Sequence, residues 1–249
     1  MLILRNIKLT VGKGTKLKRL ILNNLNLTVQ TGEFVVLVGD NGCGKSTMFN
    51  VISGYSTPDS GNVLLDNYDI TKIPRHKRCA LISKVMQDPK IGTIENMTIF
   101  ENMAFSYLRG QSRWLKPYNI AKRRQFFKDK LSFLNMNLEN RLDELVGSLS
   151  GGQRQALNLI MAIIADSQVL LLDEITAALD PKTAEKVMQI AAKIVAEEKR
   201  TTIMITHNMA YATHYGDRTV QLAEGKIIEG FNAQPKSVFN PTALTVEKV

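Results

Sequence analysis

The stretch Val35-Val36-Leu37-Val38-Gly39-Asp40-Asn41-Gly42-Cys43-Gly44-Lys45-Ser46-Thr47 decides how the rest of this chain is read. An apolar run of β type ends in G-x-x-x-x-G-K-S, and Met48 to Ile52 can continue as a helix. Strand, glycine loop and helix in that order make a phosphate cradle. Gly39, Gly42 and Gly44 let the backbone turn tightly, so that N–H groups along the loop, including those of Asp40, Asn41 and Cys43, point inward. A triphosphate collects them together with the positive end of the new helix. Lys45 reaches the β- and γ-phosphates as a point charge, the Ser46 hydroxyl ligates Mg²⁺, and Thr47 adds a phosphate hydrogen bond. The bland alternative is a glycine-rich turn after a strand, and the ordered strand, loop and helix speak against it.

Working outward, 249 residues with 44% hydrophobic content fit one large α/β domain, or a core with an inserted subdomain. No apolar run approaches the roughly 18 residues of a membrane span. The N-terminus, with Arg5 and Lys8 in a strand-like pattern, lacks the apolar segment of a secretion signal, so the chain is expected in the cytoplasm. The two cysteines, Cys43 and Cys79, are too few for a disulfide framework and are expected to be reduced thiols, Cys43 serving as a small loop residue. Lys and Arg number 32 against 23 Asp and Glu, a formal +9 that fits nucleic acid, an anionic membrane or a solvated exterior. With 6% aromatic residues and no basic helix interleaved with aromatics, no nucleic-acid partner is expected. The densest basic run, Lys116 to Lys130 with Lys122, Arg123, Arg124, Lys128 and Lys130, reads as a solvated helix face; contact with lipid headgroups or a membrane partner is the alternative.

Along the chain, Leu2 to Leu9 and Ile21 to Val29 alternate as half-exposed strands around a loop at Val11 to Lys16. After the phosphate-loop helix, the turn Pro58-Asp59-Ser60-Gly61 leads into a strand at Asn62 to Asp66. From Asp88 to about Leu145 helical spacing dominates, as in Lys122 to Leu134, with Pro89 and Pro117 at its edge and middle. The parallel core resumes with strands at Val169 to Glu174 and Thr202 to Thr206, separated by a helix from Pro181 to Glu198 with Asp180 as its N-cap. Val220 to Glu229 reads as a terminal hairpin, and the tail after Gly230 is too short for another domain.

Two further constellations carry chemistry. Asp173 closes an apolar strand and can hold Mg²⁺ through water, while Glu174 can accept a proton from a water attacking a γ-phosphate. In Leu149-Ser150-Gly151-Gly152-Gln153, the two glycines free the backbone to approach a ligand, and Ser150 presents a hydroxyl and N–H groups at a helix start. By itself a serine-glycine pair is an ordinary helix cap. Two phosphate grips on one chain raise the expectation of a dimer, the second grip serving another copy's nucleotide.

These residues resemble, nearly end to end, the nucleotide-binding ATPase subunit of ABC transporters. Gly39 to Thr47 resembles its Walker A loop, Gln87 its Q-loop, Leu149 to Gln153 its LSGGQ signature, and Val169 to Asp173 its Walker B strand. Glu174 resembles its catalytic carboxylate, Ala177 to Asp180 its D-loop, and His207 its switch histidine. The resemblance implies a P-loop NTPase cassette, residues 1–249 as a single ABC ATPase domain. Residues 1–87 and 166–249 would form the N-terminal antiparallel β-subdomain plus the RecA-like core, and about 88–165 the inserted α-helical subdomain. It also implies ATP and Mg²⁺ as cofactors and a head-to-tail dimer in which each ATP lies between one copy's phosphate loop and the partner's signature. His207 would contact the γ-phosphate, Gln87 would touch Mg²⁺ and the water, and Asp180 would cross the interface. The expected setting is the cytoplasmic face of a membrane, beside a separate permease and a substrate-binding lipoprotein.

Two departures stand out: Val11 occupies the site of an adenine-stacking aromatic, and Ile175 the site of a proline after the catalytic glutamate. Asp88-Pro89, Gly92-Thr93, Met97 to Asn102, Arg109-Gly110 and Arg113 resemble an importer branch associated with aromatic amino acids or similar small solutes, and Gln87 to Arg113 is expected to form the groove for the permease. The alternatives are a soluble ABC-type ATPase acting on nucleic acid or ribosomes, an exporter ATPase, and a P-loop kinase or GTPase. The last pair leaves Ser150 to Gln153 unexplained.

Overall fold

The computed structural model describes residues 1–110 and 119–228. Arg113, the start of the Lys116 run with Pro117, Glu229 and the tail after Gly230 lie outside them. In chain order the elements are β1 (Leu2–Val11), β2 (Arg19–Val29), β3 (Phe34–Val38), α1 (Lys45–Ser53), β4 (Ser60–Leu65), β5 (Tyr68–Asp69), α2 (Arg75–Arg78) and β6 (Ile82–Val85). There follow α3 (Ile99–Tyr107), α4 (Ile120–Ser132), 3₁₀ turns at Leu138–Asn140 and Val146–Ser148, and α5 (Gly151–Ile163). The chain continues with β7 (Val169–Asp173), α6 (Pro181–Glu198), β8 (Thr201–Ile205), α7 (Met209–Tyr215), β9 (Arg218–Ala223) and β10 (Lys226–Ile228).

These strands build two sheets, an antiparallel one in the order β2-β1-β4-β5 and a six-stranded one in the order β10-β9-β3-β8-β7-β6. In the second, only the β9–β10 pair is antiparallel. The apolar runs of β3, β7 and β8 are buried on both faces, and their alternation feeds two separate cores. Phe34, Val36, Leu170, Leu172 and Met204 point to the side of α3 to α6. Val35, Leu37, Val169, Leu171, Ile203 and Ile205 point the other way, where α1 packs with Met48, Phe49, Val51 and Ile52 beside the antiparallel sheet.

Element ends depart from the sequence reading where backbone chemistry intervenes. The strand expected to reach Asp66 stops at Leu65, because Asp66 and Asn67 both take positive φ (47° and 69°), the geometry of a tight hairpin turn into β5. The helix that Ser150 opens runs from Gly151 to Ile163, with Ser150 as its cap. α6 has the predicted limits, with Asp180 accepting from Thr183 N at 3.1 Å and Pro181 in the first turn. The basic residues of α4 are partly tied inward: Arg124 pairs with Asp143, Arg123 lies 3.8 Å over the Tyr107 ring, and Lys130 meets Glu198 at 3.5 Å.

The C-terminal end of α5 is held by two guanidinium groups. Arg109 donates to Ala162 O at 2.9 Å and to Ser83 Oγ at 2.7 Å, and Arg200 donates to Ile163 O at 2.9 Å and Ser167 O at 2.7 Å. Cations at the negative end of a helix satisfy its last carbonyls. Burial pushes the Arg109 guanidinium below its usual range, and the nearby positive charge of Arg200 acts in the same direction.

Candidate active site

Three neighbouring parallel strands bring the expected chemistry to one edge. Leu37 of β3 and Asp173 of β7 both pair with Ile205 of β8, so the loops after these strands open together at their carboxyl ends. The phosphate loop follows β3, Asp173-Glu174 follows β7, and His207 follows β8.

The loop's first turn admits only glycine. Gly39 has φ 152°, and a Cβ there would lie 2.3 Å from Leu222 O on β9. Asn41, Gly42 and Ser46 are exposed, Cys43 and Thr47 are half-buried, and Cys43 is a free thiol. Lys45 is buried, and its ammonium donates to Gly39 O at 2.7 Å and Asp40 O at 2.9 Å, across the mouth of its own loop. Two of the three ammonium donors are used in this way, which leaves the third for a phosphate.

Glu174 adopts φ 47°, a left-handed conformation rare for a non-glycine residue, while its N–H donates to Ile205 O at 3.1 Å. The carboxylate therefore leaves the strand direction and meets His207, Glu174 Oε1 lying 3.0 Å from Nε2. Glu174 is half-buried and His207 exposed, so the pair sits at the surface of the edge. Asp173 is buried, and Lys84 of β6 holds its Oδ2 at 2.9 Å. Gln87, just past β6, is exposed. The Ser46 hydroxyl, the Asp173 carboxylate and the Gln87 amide oxygen are hard donors of the kind Mg²⁺ takes together with phosphate and water. Among the described residues no three His, Cys, Asp or Glu side chains form a metal cage, so such an ion would depend on the nucleotide for its remaining ligands.

Ser150 caps α5 with a full capping box: its hydroxyl accepts from Gln153 N at 3.3 Å, and Gln153 Oε1 accepts from Ser150 N at 3.2 Å. Gly152 is buried, and a Cβ there would come within 2.1 Å of Thr183 Cγ2, so this glycine also serves the close crossing of α5 and α6. Gly151 remains exposed, facing Leu179 at 3.6 Å for an added Cβ. The signature is thereby set beside the loop carrying Asp180, whose carboxyl is held below its ordinary value by the Thr183 side chain and backbone N–H. Among the described residues no hydrogen bond joins Ser150–Gln153 to the phosphate loop of the same chain.

Several residues that organise the site carry no motif. Gln155 of α5, wholly buried, donates to Met86 O and Ile175 O, both at 3.1 Å, tying the signature helix to the backbone just before Gln87 and just after Glu174. Asn158 donates to Pro89 O at 2.9 Å, and Arg154 bonds Thr93 and Glu95. Their polar positions on a strongly amphipathic helix were the available signal. Val11 is half-exposed at the end of β1 opposite Arg19, and neither supplies an aromatic ring. On the flank of α3, a cavity of about 700 Å³ is lined by His76, Lys77, Ile94, Phe105, Leu108 and Arg109 among others.

The sequence model of the ABC transporter family matches residues 22–177. A tyrosine transport ATP-binding protein of Clostridioides difficile is 42% identical over 92% of this chain and 89% of its own length. A spermidine/putrescine import ATP-binding protein of Haemophilus influenzae is 35% identical over 96% of this chain, which spans 59% of that relative's length. Among solved structures, a dimeric post-hydrolysis ATP-binding cassette, MJ0796 bound to ADP and Pi, superposes with a TM-score of 0.81 at 28% identity, covering 95% of this chain and 100% of that one.

Proposed function

From membership of the ABC transporter family, to which this chain belongs, we propose that it drives uptake of an aromatic amino acid, or a similar small solute, through a separate permease. The chain is an ATP-binding and ATP-hydrolysing cassette of an import-type system, with the RecA-like P-loop fold and with ATP and Mg²⁺ as cofactors. The observation that carries the assignment of catalytic roles is the 3.0 Å contact of Glu174 with His207 beside the phosphate loop.

Glu174 takes the proton of the attacking water, and its positive φ turns the carboxylate off the strand, where it meets His207. His207 positions that carboxylate and contacts the γ-phosphate. Lys45, held by its two loop carbonyls, gives its remaining N–H to phosphate oxygen, and the N–H groups of Gly39 to Thr47 bind the rest. Ser46, Asp173 and Gln87 would hold Mg²⁺, which neutralises charge on the β- and γ-oxygens. Ser150, Gly151, Gly152 and Gln153 close over the nucleotide of a second copy in a head-to-tail dimer, with Asp180 at the interface. Support comes from the exposed Ser150 and Gly151 and from the dimeric MJ0796 cassette. The division into 1–87 with 166–249 and an inserted 88–165 belongs to the same proposal.

No helix among the described residues is long and apolar enough to cross a membrane. Membrane attachment is therefore assigned to a permease seated in the cavity flanked by Ile94, Phe105 and Leu108, with a substrate-binding lipoprotein beyond it. The solute rests on the 42% identity with the tyrosine relative. Co-purification from mild-detergent membranes, followed by uptake of labelled tyrosine and labelled spermidine into vesicles, tests it. Tyrosine uptake that is lost in Glu174→Gln supports the reading; uptake of spermidine alone, or recovery of soluble partners only, overturns it.

A further inference from the structure

Lys84 belongs to none of the motifs, yet its ammonium lies 2.9 Å from Asp173 Oδ2 with both side chains almost out of solvent, at 13% and 10% exposure. The geometry follows from the sheet. β6 runs parallel to β7 with Lys84 opposite Leu171 and Val85 opposite Leu172, so a lysine stem extended along the strands reaches Asp173 at the mouth. A buried carboxylate is costly without a compensating cation, and here Lys84 is the basic group ion-paired with it. Asp173 is also the only carboxylate in the donor set assigned above to Mg²⁺. An ammonium and a divalent cation on one carboxylate repel each other, and the low dielectric of a buried site enlarges that repulsion.

We propose that Lys84 is a positioning residue that holds Asp173 in the absence of nucleotide and competes with Mg²⁺ for its carboxylate. Metal binding then becomes dependent on the phosphates, which supply the negative charge needed to displace the ammonium. The flexible four-carbon stem permits that displacement, and the Phe49 ring, 5.6 Å from Nζ, offers a neighbouring seat for the cation. The inference rests on the assignment of Asp173 to the metal site.

The test uses the full chain in a Glu174→Gln background, with ATP binding titrated calorimetrically at a series of Mg²⁺ concentrations. Lys84→Met is expected to lower the half-saturating Mg²⁺ by about three- to tenfold, while ATP binding in EDTA stays as before. Lys84→Arg, which keeps the charge, is expected to stay at or above the wild-type value. Lys84→Gln, neutral but able to hydrogen-bond Asp173, reports the same direction should the methionine variant fail to fold. Half-saturation that is unchanged or raised in the neutral variants overturns the proposal. Asp173→Asn separates the two levels: loss of the Mg²⁺ enhancement upholds the metal assignment, and its retention removes that assignment and the role of Lys84 together.

Discussion

At position 152 the space available to a side chain is smaller than a methyl group. Thr183 Cγ2 would stand 2.1 Å from any added Cβ, so Gly152→Ala must turn the Thr183 side chain off its rotamer or push α5 and α6 apart. The expected cost is about 1–3 kcal/mol, read as a lower urea midpoint. Thr183→Ser removes the offending methyl and keeps the backbone N–H that caps onto Asp180, so the double variant is expected to recover most of the loss. Additive losses in the double-mutant cycle would mean that the two residues do not meet. Gly39, by contrast, was legible in its motif, because the G-x-x-x-x-G-K-S spacing already implies the backbone turn that its φ of 152° provides. What faced Gly152 was not legible, since Thr183 lies across a helix crossing that no local pattern encodes.

At the scale of elements, the helix behind the phosphate loop is anchored by a buried cation. Arg78 donates through Nη1 to Val51 O at 2.7 Å and Ile52 O at 3.1 Å, and through Nη2 to Thr71 O at 2.8 Å and to Ile70 O. It thus clamps the C-terminal end of α1 to the segment after β5, and burial pushes its pKa down. Arg78→Met leaves those carbonyls unpaired and is expected to cost about 2–4 kcal/mol in chemical denaturation. Arg78→Lys, which keeps the charge but not the fork, should fall between. Helix α6 carries a pH signature at its start. The Asp180 carboxyl is held below 3.8 by its bonds to Thr183, so its stabilisation is present above that value and is lost as pH falls through the lower folded-state pKa. Asp180→Asn caps the helix without titrating. Acid unfolding followed by circular dichroism should therefore show a shallower loss of stability below about pH 4 in the variant than in the wild type. Asp180 and Pro181 announced this helix start in the sequence, whereas the Arg78 clamp joins segments separated by a whole strand pair and left no trace in periodicity.

For the whole molecule, the two phosphate grips define the expected behaviour. Glu174→Gln mixed with Mg·ATP should double in mass by light scattering and return to the monomer when nucleotide is removed. Ser150→Glu in the same background places a carboxylate against the partner's phosphates. It should abolish the dimer while ATP binding to the variant's own phosphate loop remains. A dimer that survives this change would exclude Ser150 from the interface. The motifs, their order and the α/β class were determined by the sequence alone, because phosphate chemistry demands particular residue types at short, local spacings and because strands buried on both faces read as continuous apolar runs. The tertiary structure alone decided which residues support them: Lys84 on Asp173, Gln155 between Met86 and Ile175, and Arg109 and Arg200 on the end of α5. Each of these contacts joins residues distant in the chain, and its strength depends on a burial and direction that exist only once the sheet and the helices have packed.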